Sequence, residues 1–228
     1  MGVTENYQRI AAQVAARAQE CGREADAVRL IAVSKTVEAP VVELAVQGGA
    51  NDFGENRPEC LVEKAQAYPD STWHFIGNVQ SRRVKDIVAH ASLIHSLYQE
   101  RHARKINDEA AKIGKVQDVL IEVNVSGEES KGGCTLDQAQ ELAQLCLELP
   151  NVRLRGLMTM APRADEQAER LTFSGLAELH GKLKAAMEPA DAAVFDELSM
   201  GMSEDWPVAV EYGATMVRIG RAIFSDSF

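Results

Sequence analysis

The stretch "LIAVSKTVEAP", residues 30–40, contains one copy of a pattern that repeats along the chain, an apolar run followed by a polar turn. A short apolar run ends in a serine and Lys35, and a polar turn with Pro40 follows at once. The apolar run is typical of a buried strand, and proline suits the first turn of a helix. We therefore predict a strand over 28–34 and a helix over 40–49. The lysine at the end of the strand is either a solvated surface residue or part of a site, and the rest of the chain decides between them.

The same alternation of apolar runs and helical segments continues through the chain. A leading helix is predicted over 4–21, with Thr4 as its cap and Gly22 just past its end. The other seven strands are predicted at 51–56, 72–77, 92–97, 117–125, 152–160, 195–200 and 215–220. The helices between them are predicted at 57–66, 80–89, 99–113, 135–148, 165–187 and about 204–211, before a stub of helix or coil that runs to Phe228.

This pattern of elements indicates an α/β fold. Strands rich in Val, Ile and Leu that alternate with helices predict a parallel sheet covered on its faces. Eight such units in 228 residues favour a single (β/α)8 TIM-type barrel with an extra N-terminal helix, spanning residues 1–228 as one domain. A doubly wound open sheet is the alternative, but no G-x-G-x-x-G follows the first strand.

Composition excludes several classes of function. The formal net charge of −10 repels phosphodiester backbones, so we expect no nucleic-acid partner. The four cysteines, Cys21, Cys60, Cys134 and Cys146, form no Cys-x-x-Cys pair, which argues against a metal site and is typical of free thiols in a reducing compartment. The N-terminus lacks the apolar region of a signal peptide, and no run is long enough to span a membrane. These features predict a cytoplasmic protein with no membrane partner.

The chemistry of such a barrel lies at the carboxyl ends of its strands. Strands 7 and 8 end in glycine-bearing turns, and the loops after these strands are the usual phosphate site of the fold. Strand 1 is the neighbour of strand 8 when the barrel closes, so Lys35 is expected beside that site. A lysine in a partly desolvated pocket becomes a nucleophilic amine, which suggests a Schiff base to pyridoxal phosphate. Arg218 would then face the pyridine nitrogen and keep it unprotonated.

Each candidate residue also has a plain structural interpretation. Lys35 alone could merely bind a substrate phosphate, and Arg218 alone could be a member of an ion pair in the barrel wall. Ser203 precedes two acidic residues and could be a helix N-cap. Gly201 and Gly220 could be ordinary turn residues. The functional interpretation is favoured because all five converge on one rim, whereas His74 is interpreted as a polar core or rim residue.

Six motifs together resemble one family. They are "AVSKT" (32–36), "FGEN" (53–56), "WHFIGNVQS" (73–81), "RLRGLM" (153–158), "LSMGMSED" (198–205) and "MVRIGRAIF" (216–224). In this order and spacing they resemble the pyridoxal phosphate homeostasis protein family. The resemblance implies a barrel related to the N-terminal domain of alanine racemase, with pyridoxal 5′-phosphate held on Lys35.

The resemblance also implies roles for individual residues. Ser203 and the Gly220 turn would hold the phosphate, Arg218 would lie near the pyridine nitrogen, and Asn56 would lie near the ring. The chain departs from the family pattern at Arg221, which replaces a threonine; its guanidinium could donate to the phosphate instead or point to solvent. Lys131 matches a lysine of the family's "SK.G" loop.

The resemblance implies a role in vitamin B6 balance. A binding protein and a racemase stay open as functions, and a third possibility is a sugar-phosphate aldolase that uses Lys35 and holds no chromophore. A racemase of this kind needs a second base, a tyrosine opposed to the lysine, from a C-terminal β-domain. Only eight residues follow Gly220, so we expect that domain to be absent, and we expect no tyrosine at a strand end. We therefore favour a monomeric binding and delivery protein, with apo-enzymes that use the cofactor as recipients, over a racemase of low activity.

Overall fold

The predicted strands form eight parallel strands that close on themselves. In the computed structural model, which describes residues 2–128, 132–162 and 165–225, each strand pairs with the next, and β1 pairs with β8 to complete the barrel. The strands are β1 (Arg29–Val33), β2 (Asp52–Glu55), β3 (Thr72–Phe75), β4 (Leu93–Leu97), β5 (Gln117–Glu122), β6 (Val152–Met158), β7 (Glu197–Ser199) and β8 (Met216–Ile219). The barrel is confirmed, and the doubly wound alternative is wrong because an open sheet would leave β1 and β8 unpaired.

Helices follow the strands around the outside of the barrel. They are α1 (Val3–Glu20), α2 (Ala39–Gln47), α3 (Pro58–Ala67), α4 (Val84–His90), α5 (Glu100–Lys112), α6 (Leu136–Glu148), α7 (Glu166–Ala186), α8 (Pro189–Val194), α9 (Trp206–Glu211) and α10 (Arg221–Phe224), with a 3-10 turn at Ser81–Arg83. The extra helix α1 packs against α2 and α10. The alternation of strands and helices is therefore the one that the apolar pattern predicts.

Two local predictions differ from the structure. Thr4 does not cap α1, because the helix begins at Val3 and the Thr4 hydroxyl donates to the carbonyl oxygen of Leu44 at 2.7 Å. Helix α8 was not predicted, since its six residues are too short to show a helical period. Gly22 does follow α1, with a φ of +73° that favours glycine.

The core has two parts. A small cluster inside the barrel comprises Ile31, Leu93, Leu120, Met158 and Met216. A much larger cluster lies between the outer face of the strands and the helices. Full burial of one such aliphatic side chain contributes about 1.5–3 kcal/mol, so both clusters stabilise the barrel. No helix in the described part of the chain is long and apolar enough to cross a membrane, and all four cysteines are free thiols.

Candidate functional site

The carboxyl ends of the strands open onto a cavity of about 220 Å³. Its lining includes all six residues that the sequence predicted, namely Lys35, Asn56, Ser203, Arg218, Gly220 and Arg221. The register of β1 with β8 pairs Ile31 with Arg218 and Ala32 with Ile219. Barrel closure therefore brings the segment after β1 against the segment after β8, as predicted.

Lys35 lies two residues beyond the end of β1 and lines this cavity. Its side chain is exposed, whereas the sequence argument placed it in a partly desolvated pocket. Lys35 therefore lies where the lining of the cavity meets solvent.

A buried ion pair supports the backbone next to Lys35. The Lys64 amine lies 2.5 Å from Glu55 Oε1 and donates to the Ser34 carbonyl oxygen at 2.8 Å. The Ser34 hydroxyl donates to the same Glu55 oxygen at 2.7 Å. All three residues are at least 97% buried. This cluster, which sequence reasoning missed, ties the residue before Lys35 to β2 and α3.

Arg218 is buried at the floor of the cavity, with 5% of its surface exposed. Its Nη1 donates to Ser199 Oγ at 2.7 Å, and its Nη2 donates to the Thr159 carbonyl oxygen at 2.9 Å. Burial lowers the pKa of Arg218 to about 10, although Asp205 and Glu122 oppose this shift. The guanidinium is therefore a fixed cation at neutral pH.

Asp205 stabilises the turn after β7 by accepting a backbone hydrogen bond. The backbone N–H of Met202 donates to Asp205 Oδ1 at 2.5 Å, and Gly201 has a φ of +94°. Helix α9 begins at Trp206, so Asp205 occupies its N-cap position. The alternative that Ser203 caps this helix is therefore wrong, and Ser203 lines the cavity instead.

The turn after β8 packs tightly against β1. A Cβ atom at Gly220 would lie 3.0 Å from the carbonyl oxygen of Val33, so the absence of a side chain there serves the closure of the barrel. The sequence argument had assigned this glycine to the approach of an anion. Arg221 also lines the cavity, and its guanidinium lies 2.9 Å from Glu204 Oε1.

Two further residues bear on the predicted site. Tyr98 directly follows β4, so the expectation that no tyrosine lies at a strand end is wrong. Its hydroxyl donates to Asn78 Oδ1 at 3.0 Å, and it is not among the described residues that line the cavity. Lys131 lies outside the described residues.

Glu122 ends β5 and is a buried acid beside the site. Burial raises its pKa from 4.5 to about 7, against the opposing charge of Arg218. Because the folded state favours the protonated form, this group stabilises the fold fully below pH 4.5, and that contribution is lost as the pH rises through 7.

We expect Glu122→Gln, which keeps the shape and removes the charge, to stabilise the protein at pH 8 by on the order of 3 kcal/mol. At pH 5 the gain should be much smaller. Urea unfolding of both proteins at the two pH values measures this difference. An equal effect at both values would mean that the carboxyl group titrates normally in the fold.

The comparisons with known proteins agree with this geometry. The family model described as "Alanine racemase, N-terminal domain" matches residues 6–227. The chain is 39% identical over 229 residues to the pyridoxal phosphate homeostasis protein of Aquifex aeolicus, and the match covers 99% of each chain.

Solved structures give the same result. An uncharacterised protein from Bifidobacterium adolescentis has a TM-score of 0.91 and 34% identity, covering 97% of this chain and 94% of its own. PipY of Synechococcus elongatus, solved with pyridoxal phosphate bound, has a TM-score of 0.79 and 32% identity, covering 93% of this chain and all of its own. This chain therefore belongs to the pyridoxal phosphate homeostasis protein family, which is built on the N-terminal domain fold of alanine racemase.

Proposed function

We propose that this protein binds pyridoxal 5′-phosphate through a Schiff base on Lys35 and acts in the homeostasis of that cofactor, without a robust reaction of its own. The observation that carries the proposal is that the amine of Lys35 and the fixed cation Arg218 line one cavity at the mouth of the barrel. The name of the Aquifex relative and the pyridoxal phosphate bound to PipY support this choice of ligand.

The donor set of the cavity fits the parts of this ligand. A primary amine suits an aldehyde, and the Ser203 hydroxyl with the backbone of the Gly220 turn would suit a phosphate. Asn56 would lie beside the ring, and Arg221 would assist at the phosphate. When bound, the cofactor supplies an aldehyde and an electron-withdrawing ring.

Arg218 bears on whether such a site is catalytic. A guanidinium that stays cationic leaves a facing ring nitrogen unprotonated and weakens the electron withdrawal that amino-acid chemistry needs. No tyrosine stands among the described residues that line the cavity to act as an opposed base. Both features favour storage over catalysis.

The exposure of Lys35 supports reversible binding and delivery. An incoming amine can reach the Schiff base from solvent and displace the lysine, so the cofactor can pass to another protein. Enzymes that lack their pyridoxal phosphate would be the recipients, and a monomeric protein of the cytoplasm would suffice as the carrier.

We expect borohydride reduction of the loaded protein to leave a pyridoxyl group on the peptide that contains Lys35. Lys35→Ala should lose this adduct and the yellow colour, because no other amine among the described lining residues can replace it. Peptide mass spectrometry locates the adduct, with Lys112→Ala as the control at an exposed lysine far from the cavity.

An adduct on another lysine alone, such as Lys131, would contradict the role of Lys35. The same preparations can be incubated with L-alanine in deuterated water. Exchange of the α-proton near the median enzyme turnover, on the order of 10 per second, would favour the racemase and contradict the absence of a robust reaction.

A further inference from the structure

A row of polar side chains runs through the inside of the barrel beneath the cavity, and we call it the interior chain. Arg218 Nη1 donates to Ser199 Oγ at 2.7 Å, and Ser199 Oγ lies 2.8 Å from His95 Nδ1. His95 Nε2 lies 3.0 Å from His74 Nδ1, and His74 Nε2 lies 3.0 Å from Asp52 Oδ1. The interior chain connects side chains from four different strands of the barrel to Arg218.

The carboxylate end of the interior chain determines the direction of its bonds when each ring carries one proton. An ionised carboxylate can only accept, so His74 donates to Asp52 from Nε2 and accepts on Nδ1. His95 then donates to His74 from Nε2, and its Nδ1 accepts the hydroxyl proton of Ser199. The Arg218 guanidinium can only donate, and it donates to the oxygen of the same hydroxyl.

Burial makes this order costly to disturb. Ser199 and His95 are fully buried, and His74 is 1% exposed, so water cannot replace a lost partner. A buried polar group without a partner is strongly unfavourable. Burial, with His74, Arg218 and Arg29 nearby, also lowers the pKa of His95 well below its usual range, which keeps the ring neutral. An extra proton on either ring would make His95 Nδ1 a donor, so the Ser199 hydroxyl would lose its acceptor in the interior chain.

The interior chain has a consequence for the cavity. Because His95 takes the hydroxyl proton of Ser199, the lone pairs of that hydroxyl face Arg218. The bonds to Ser199 and to the Thr159 carbonyl use two of the five N–H groups of the guanidinium and set its plane. Without an acceptor at position 95, the Ser199 hydroxyl would turn and no longer fix the guanidinium.

We propose that His95 and His74 are positioning residues, which hold Ser199 as an acceptor and so aim the remaining N–H groups of Arg218 at the ring nitrogen of the bound cofactor. This inference rests on the proposed function for the identity of the ligand. It assigns a role in ligand recognition to two histidines that lie beneath the cavity and are not among its described lining residues.

The test compares three variants of buried histidines. His95→Leu fills the space without an acceptor, whereas His95→Asn can place its amide oxygen where Nδ1 lies and accept from Ser199. His102→Leu is the matched control, because His102 is 2% exposed on α5 and its Nδ1 has no hydrogen-bond partner among the described residues. If His95 only fills space in the core, His95→Leu should disturb the protein no more than His95→Asn does.

The first measurement uses the cofactor-free protein and does not depend on the proposed function. Nitrogen-15 NMR should show His74 and His95 as neutral Nε2–H tautomers at pH 7. The side-chain N–H signals of Arg218 should be sharp and separate in wild type, His95→Asn and His102→Leu, and averaged in His95→Leu. A different tautomer in wild type, or unchanged Arg218 signals in a folded His95→Leu, would overturn the inference.

The second measurement uses protein loaded with pyridoxal phosphate labelled with nitrogen-15 in the ring. His95→Leu should shift the ring-nitrogen signal and weaken the affinities for pyridoxal phosphate and for pyridoxal by a similar factor of about ten. His95→Asn should restore both signal and affinity, and Ser199→Ala should reproduce the leucine result if that variant does not fold. Failure of wild type to bind the cofactor would refute the proposed function, while the first measurement still decides the order of the interior chain.

Discussion

Gly77→Ala is expected to lower the affinity for pyridoxal phosphate more than tenfold and to destabilise the fold by about 3 kcal/mol. A Cβ atom at position 77 would lie 2.0 Å from the carbonyl oxygen of Asn56 and 2.7 Å from its Cα. These are backbone atoms, so the clash cannot be relieved by rotating a side chain. The Asn56 segment, which lines the cavity, must therefore shift.

Gly181→Ala is the matched control for this prediction. Gly181 lies within α7, and a Cβ atom there would have no neighbour within 4 Å. The same substitution should therefore stabilise the helix by about 0.5–1 kcal/mol and leave affinity unchanged. Urea unfolding and a titration followed by cofactor absorbance give both quantities. Wild-type affinity and stability in Gly77→Ala would show that the contact with Asn56 relaxes without cost.

Lys64→Met is expected to destabilise the protein by about 3–5 kcal/mol, the usual cost of leaving one charge of a buried pair alone. Glu55 is fully buried, and its Oε2 already has no hydrogen-bond partner in the described structure. Removing the Lys64 amine leaves only the Ser34 hydroxyl to compensate the carboxylate. We also expect weaker cofactor binding, since Ser34 directly precedes Lys35.

Two controls separate charge from packing at this pair. Adding Glu55→Gln to Lys64→Met should recover part of the stability, because the uncompensated charge is then gone. Lys112→Met removes an exposed lysine that lies 3.0 Å from Glu109, and its melting temperature should match that of wild type. If Lys64→Met and Lys112→Met have the same melting temperature, the buried pair contributes no more to stability than a surface pair does.

The elements of the fold could be predicted closely from local patterns. Every predicted strand is present, and the helical periods were visible wherever a helix was long, as in α5 and α7. The features that were predicted wrongly are short elements or lie at the ends of elements. Helix α8 has six residues, and Ser203 was a plausible cap only until α9 was seen to begin at Trp206.

The location of the candidate site also followed from the sequence. A strand count of eight implies that β1 and β8 meet, and this places Lys35 beside Arg218 and Gly220 without any knowledge of coordinates. The exposure of Lys35 did not follow, because the width of the mouth depends on how the loops pack. Tyr98 directly follows both the predicted strand 92–97 and β4, and the sequence argument overlooked that position.

The sequence by itself determined the order of the elements, the closure of the barrel and the set of residues at its mouth, because apolar periodicity records which face of each segment is buried. Only the tertiary structure decided which polar side chains meet inside. His95 and Ser199 are 104 residues apart, and the lysine that pairs with Glu55 lies on a helix outside the barrel. Such contacts depend on strand register and on the depth of each side chain in the barrel, and neither quantity leaves a local trace in the sequence.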